Sequence, residues 1–265
     1  MVLTLLAPDF RTIVNAALPR HAHCRHMHDA VHVLETLRTQ VWAGLVIDPR
    51  VMSEGSLMAI VRYASDTGRR VLILTAIDMH NALTILRAFE SENVDLLLWS
   101  DPLDRTLLSA RLRSLQSPSC SSQVVRGLAP QLARLPTRLT ACAIAAFGSL
   151  PIPRSVESFA DEAGMMERTI ERAFKKVGLA GPGSLLRAAR VATAWDVIRL
   201  SGAARPVPLT ALRTGFRSTK HFRETVSRLL SMPPTRLAET EPSGDHIAII
   251  IQYLQGYGQP AARGN

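Results

Sequence analysis

Cysteine is scarce in this sequence and offers no pairing scheme: Cys24, Cys120 and Cys142 form an odd, scattered set. That excludes a disulfide framework and fits a reducing, cytoplasmic setting. No apolar run reaches the about 18 residues that suggest a bilayer-spanning helix, so no membrane partner is expected. The first residues, MVLTLLAPDF, carry neither a basic n-region nor a small-residue cleavage site, and no signal peptide is expected. Catalytic signatures are missing too. There is no nucleophile elbow, Walker loop, dinucleotide glycine fingerprint or HExxH. The GPG at Gly181–Gly183 reads as a turn between helices rather than a phosphate cradle. No catalytic residue is assigned, no cofactor is expected, and the chain is read as a non-enzyme.

The first part of the chain also lacks net charge. Residues 1–117 hold twelve Lys/Arg and twelve Asp/Glu. Residues 118–150 are net +3, residues 151–237 net +8 and residues 238–265 net −2, giving +9 overall. The excess cation is thus confined to one part of the chain, as a phosphate-binding surface requires.

Within that part, Val207–Leu237 reads VPLTALRTGFRSTKHFRETVSRLLSMPPTRL. The spacing predicts two short helices around Gly215, with Leu209 and Leu212 on the inner face of the first and Phe216 turned back to the core. Ser218 is placed to cap the second helix. Phe222, Val226 and Leu229 or Leu230 follow at i, i+4 and i+7/i+8, a single buried stripe. The opposite face is polar and mostly cationic: Lys220, Arg223, Glu224, Ser227 and Arg228. An apolar back and a cationic front behind a tight turn suit a helix-turn-helix entering a major groove. The same design occurs about 50 residues earlier. Ser155 caps a helix with Val156, Phe159, Ala160 and Ala163 on one stripe, and Gly164 makes the turn. Glu167–Val177 then buries Ile170, Ala173, Phe174 and Val177 and exposes Arg168, Glu171, Arg172 and Lys175. A longer helix, roughly Ser184–Leu200, joins the two, with Leu186, Ala189 and Trp195 directed inward.

The segments SVESFADEAG, ERTIERAFKKVG, the RV of AARVATAWDVI, LTALRTGFRSTKHF and Pro234 together resemble the AraC/XylS-type DNA-binding domain, over about residues 140–237. The resemblance implies two recognition helices entering successive major grooves, about 34 Å apart, on double-stranded DNA. Base-edge candidates are Arg168, Glu171 and Arg172 in the first and Thr219, Lys220, Arg223 and Glu224 in the second. Lys175, Arg217 and Arg228 are expected on phosphate. This sequence departs from the family pattern at Met166, in place of a small polar residue, and at Glu224, in place of a common cation. Val226 replaces an aromatic, and Ser231 replaces a turn glycine.

Residues 2–115 alternate strand-like and helix-like runs. Val2–Leu6, Cys24–Met27, Ala43–Ile47, Val71–Leu74 and Val94–Leu98 read as strands. Phe10–Ala17, Ala30–Thr39, Ser56–Ser65, Ala82–Phe89 and Leu103–Leu115 read as helices. Five β/α pairs imply an α/β doubly wound parallel sheet of flavodoxin-type order, whose functional crevice lies at the strands' carboxyl ends. Asp48, Thr75 and Asp101 belong there. The element order and the Asp48 and Thr75 anchors resemble a response-regulator receiver domain. The resemblance implies Asp48 as phosphoacceptor. The acidic pair that would hold Mg²⁺ is missing, however, with Leu6 and Ala7 in its place and only Asp9 nearby. The lysine before the proline after the fifth strand is replaced by Asp101. Phosphoryl transfer to a carboxylate needs the metal and the cation to offset developing charge. The domain is therefore read as a degenerate receiver kept for dimerisation or partner contact.

His21, His23, Cys24, His26 and His28 crowd into HAHCRHMHD. Imidazole and thiolate suit zinc, copper or nickel. Yet alternation along a strand puts His26 and His28 on one face and His23 on the other, and the spacing matches no closed zinc motif. A solvated run of histidines on an edge strand is the preferred reading.

The expected division is a receiver-like domain at 1–117, a linker and connecting helix at 118–136, the double helix-turn-helix domain at 137–240 and a tail at 241–265. SLQSPSCSS, residues 114–122, reads as the flexible link. In the tail, HIAIIIQYLQGY could be a strand or a terminal helix, and QPAARGN is expected to be disordered. The expected whole is a sequence-specific DNA-binding transcription regulator with a non-phosphorylated input domain. A phosphorylation-dependent regulator using Asp48 and a metal- or small-ligand-responsive sensor stay open. So does a homodimer through the receiver-like domain or the connecting helix.

Overall fold

The computed structural model describes residues 2–17, 24–40, 44–75, 80–91, 93–98, 108, 112, 119–148, 152–201 and 207–256. The N-terminal part is a five-stranded sheet: β1 (Val2–Leu5), β2 (Cys24–His26), β3 (Gly44–Ile47), β4 (Arg70–Thr75) and β5 (Val94–Leu98). The spatial order is β2-β1-β3-β4-β5, and every pairing is parallel. That is the flavodoxin-type order. All four residues of β1 and of β3 are buried, as strands covered on both faces require. The covering helices are α1 (Pro8–Ala17), α2 (Ala30–Thr39), α3 (Glu54–Asp66) and α4 (Ala82–Ala88). Asp29 and Ser53 begin α2 and α3 by accepting from the amides of His32 and Ser56, which are otherwise orphaned at a helix start. Of the expected helix at Leu103–Leu115, only Leu108 and Leu112 are described, and both are buried.

The C-terminal part is helical: α5 (Cys120–Leu132), α6 (Thr137–Gly148), α7 (Val156–Ala163), α8 (Glu167–Lys176), α9 (Pro182–Ser201), α10 (Val207–Arg213), α11 (Thr219–Leu230) and α12 (Gly244–Leu254). The long helix α9 is the spine. Against it lie α5, α6, α10 and α12, and Trp195 in its middle is fully buried. The indole Nε1 of Trp195 donates to the carbonyl of Thr240 at 3.0 Å, which satisfies its one polar atom. Among the described residues no helix is long and apolar enough to cross a membrane.

The Ser-rich stretch differs from the expected flexible link over Ser119–Ser122, which is buried and opens α5. Two buried carboxylates hold it there. Asp95, on β5, accepts from the Ser119 amide at 3.2 Å and from the Ser119 hydroxyl at 2.7 Å, and also from the Ser122 hydroxyl. Asp196, on α9, accepts from the amides of Cys120 and Ser121 at 2.7 and 3.1 Å. One turn further on, Arg126 donates to the carbonyls of Phe89 and Val94. Helix α6 also packs on α4 and β5. A single apolar core therefore runs from the sheet into the helical part. Serine-rich composition suggests a linker only when its hydroxyls and amides face water, and here two carboxylates replace the water.

The tail's apolar run forms the helix α12. It buries Ile247, Ile250 and Leu254 against α5, α9 and α11. Gly127 on α5 faces the Ile251 side chain of α12, which takes up the space a Cβ there would need. The QPAARGN residues lie outside the described ones. On α10 the inward face is Thr210 and Ala211, whereas Leu209 and Leu212 are 47 % and 58 % exposed. Leu209 and Leu212 do share a face, but it is the outer one. Thr214 Oγ1 instead donates to the Thr210 carbonyl, so its hydroxyl can be buried.

Asp95→Ala should remove the acceptor of three donors at once. We expect a loss of about 2–3 kcal/mol in urea unfolding, the cost of leaving buried donors unpaired. Helical and near-ultraviolet signals should still change in one coincident transition. Two separated transitions in the wild type would show independent halves.

Candidate nucleic-acid interface and strand-end carboxylate

Helices α7 and α8 form the first helix-turn-helix. Ser155 accepts from the Ser158 amide and Ser158 answers toward the Ser155 amide, a reciprocal cap on α7. Gly164 closes α7 at φ 59, a left-handed conformation that a Cβ disfavours. Phe159 meets Phe174 edge to face at 6.5 Å, locking α8 on α7. Ile170 and Phe174 are buried, which turns Arg168, Glu171, Arg172 and Lys175 to solvent together. Met166 stands at the N-cap of α8, 77 % exposed and with no side-chain hydrogen bond to the helix.

Helices α10 and α11 repeat the arrangement. Gly215 makes the turn at φ 86, and Phe216 packs edge to face on Phe222 at 4.9 Å. Ser218 caps α11 by accepting from the His221 amide at 3.1 Å. Phe222, Val226 and Leu230 are buried. Arg217, Lys220, Arg223, Glu224 and Arg228 are exposed, and Thr219 is half-buried. Glu224 lies 4.0 Å from Lys220 one turn earlier, a surface pair that contributes little to stability. Ser231 ends α11 at φ 54, the left-handed position where a glycine is usual. Both recognition faces thus assemble as the sequence pattern implied.

Residues 159–240 match the family model described as a helix-turn-helix domain. This part of the chain is an AraC-type helix-turn-helix domain. A domain of this kind indicates a DNA-binding transcription regulator and points away from an enzyme. No curated protein matches the chain. Among solved structures, full-length FixJ from B. japonicum is 19 % identical over 70 % of this chain and 93 % of its own, with a TM-score of 0.34. That is a likeness of outline only.

At the carboxyl ends of the strands, Asp48 follows β3 and Thr75 ends β4, both fully buried. Asp101 lies outside the described residues. Asp48 is closed by its own chain. Arg50 Nε lies 3.0 and 3.1 Å from its two oxygens, Arg50 Nη2 lies 2.8 Å from Oδ2, and the Arg50 amide donates to Oδ1. The guanidinium also stacks 4.5 Å over the Phe10 ring and comes within 3.9 Å of Asp9. A fork of this kind satisfies a carboxylate bidentately. The sequence offered no sign of it, because Arg50 is two residues on and its direction depends on the 3₁₀ turn Pro49–Val51.

Of the histidine run, His21 and His23 lie outside the described residues. Cys24 and His26 lie on β2, and His28 lies beyond its end, exposed. His26 is 2.5 Å from the Thr4 hydroxyl through Nδ1 and 3.0 Å from the Asn15 amide through Nε2, so protein groups meet both ring nitrogens. Burial, then the charges of Arg11 and His28, push its pKa down. Burial pushes the Cys24 thiol up, against a hydrogen bond to Thr4. Among the described residues no three metal-ligating side chains converge.

Met166→Ser should supply the missing N-cap acceptor for α8 and raise stability by about 1 kcal/mol in urea unfolding. No change would show that the Met166 backbone already meets the helix start by another route.

Proposed function

We propose that this regulator reads DNA sequence through both recognition helices and that its receiver-like domain works without phosphorylation. Arg168, Glu171 and Arg172 are the base-reading candidates of α8, with Lys175 on phosphate. Thr219, Lys220, Arg223 and Glu224 are those of α11, with Arg217 and Arg228 on phosphate. Arginine pairs bidentately with guanine, and glutamate accepts from cytosine. Their joint exposure over two aromatic-locked helix backs supports the reading.

The observation that carries the second half is the Arg50 fork on Asp48. An attacking carboxylate must expose an oxygen to the phosphodonor and must have a metal beside it. Asp48 is buried, both its oxygens face the Arg50 guanidinium, and Asp9 lies 3.9 Å from that same guanidinium. Arg50 here supplies the positive charge within the domain. The input domain then acts by contact, with another protein or with a second copy of the chain.

Two outcomes test this. Arg223→Ala should reduce discrimination between a selected duplex and a random one by about 1–3 kcal/mol in fluorescence anisotropy. An equal loss on both would make Arg223 a phosphate contact. Incubation with a small phosphodonor and Mg²⁺ should leave the intact mass unchanged. Gain of one phosphoryl group, lost again in Asp48→Ala, would overturn the proposal for the first domain.

A further inference from the structure

Between the two helix-turn-helix units lies a cleft of about 510 Å³ that shares Arg217 with the second of them. Four arginines line it: Arg154, Arg187, Arg190 and Arg217. They come from separate places: the approach to α7, two turns of α9, and the turn before α11. No carboxylate lines the cleft. Among the described residues none of the four forms an ion pair. The capping residues Ser155 and Ser218 border it as well, which sets the positive ends of α7 and α11 at its rim.

Four guanidiniums in one concavity repel one another, and a fold tolerates this where an anion is to be bound. The crowding is built in. Arg190 is tied back by a hydrogen bond from Nη2 to the Pro153 carbonyl at 2.5 Å. Its Nε is buried without a partner, as is Nδ1 of His221 on the same wall. Gly215 makes room for it, because a Cβ there would stand 3.2 Å from that Nε. Burial first, and then the charges of Arg187 and Arg217, lower the pKa of Arg190. A bound oxyanion would offset the positive charge gathered here.

We propose that this cleft is a seat for a phosphate group, supplied by the DNA backbone where the duplex passes from one recognition helix to the other. The assignment rests on the DNA-binding reading above and adds Arg154, Arg187 and Arg190 to it. A backbone seat positions the duplex and carries no base preference. It fixes the separation of the two grooves being read, because α7, α9 and α11 all contribute to its walls.

The test compares wild type with Arg154→Ala and with the double variant Arg154→Ala/Arg187→Gln. Arg154 is exposed and makes no side-chain hydrogen bond among the described residues, so the single variant does not threaten folding. Glutamine at 187 can keep a donor near the Tyr253 hydroxyl that Arg187 now meets. Affinity for a selected and a random duplex is measured by anisotropy across a salt series. We expect roughly tenfold weaker binding on both duplexes for the double variant, and a log K against log salt slope shallower by about 1–2. Unchanged affinity and slope would overturn the proposal while leaving the regulator reading intact. In a second arm, pyrophosphate is added to DNA-free protein and thermal unfolding is followed. Stabilisation lost in the variants, with DNA binding unaffected, would assign the seat to a free anion and overturn the DNA source. Wild type binding no duplex at all would instead defeat the regulator reading.

Discussion

The N-terminus of α5 is the point on which both halves of the molecule depend. A helix start presents amides with no partner inside the helix and the positive end of a dipole. Here that start is buried, where unpaired donors are costly. Asp95 from the sheet and Asp196 from α9 meet it from two sides. Each carboxylate is itself buried and tolerable only because those donors are there. Asp95 also faces Arg70, whose guanidinium burial disfavours and whose charge Asp95 supports. Sheet, α5 and α9 thus form one mutually dependent unit, and a shift in β5 has a direct route to the spine of the DNA-binding domain.

On that spine the two recognition units are carried unequally. The first has a reciprocal serine cap and a glycine at its turn, but an uncapped recognition helix at Met166. The second has a capped recognition helix that ends in a strained Ser231. Both are held by edge-to-face aromatic pairs rather than by polar contacts, which leaves the outer faces free to meet nucleic acid. The arginine-lined cleft between them belongs to neither unit alone, since α9 supplies two of its cations.

Under the proposed reading the N-terminal half has the sheet of a receiver without an open acceptor. The strand-end carboxylate survives at Asp48, but the guanidinium of Arg50 binds it bidentately where chemistry would need an open oxygen. Phe10 and Asp9 hold that guanidinium from the other side. The strand-end carboxylate is thus occupied by the protein's own ion pair. This suits a domain that communicates by packing.

Periodicity in the sequence was enough to determine the strands, the helix-turn-helix units and their exposed cationic faces. Those features follow from alternation and 3.6-residue spacing along contiguous chain, and the caps at Ser155 and Ser218 act within three residues. What contiguous spacing could not show was decided by tertiary structure. The serine stretch became a buried cap because Asp95 and Asp196, 24 and 76 residues away, converge on it. Leu209 and Leu212 stayed outside while Thr210, Ala211 and Thr214 turned inward, the Thr214 hydroxyl meeting the carbonyls of Thr210 and Ala211. Arg50 turned onto Asp48 through a single 3₁₀ turn. Arg154, Arg187, Arg190 and Arg217 became one cleft only when three helices met. For the serine stretch and the cleft the partner is hidden by sequence distance; for Arg50 and Thr214 it is near in sequence and the local backbone direction decides.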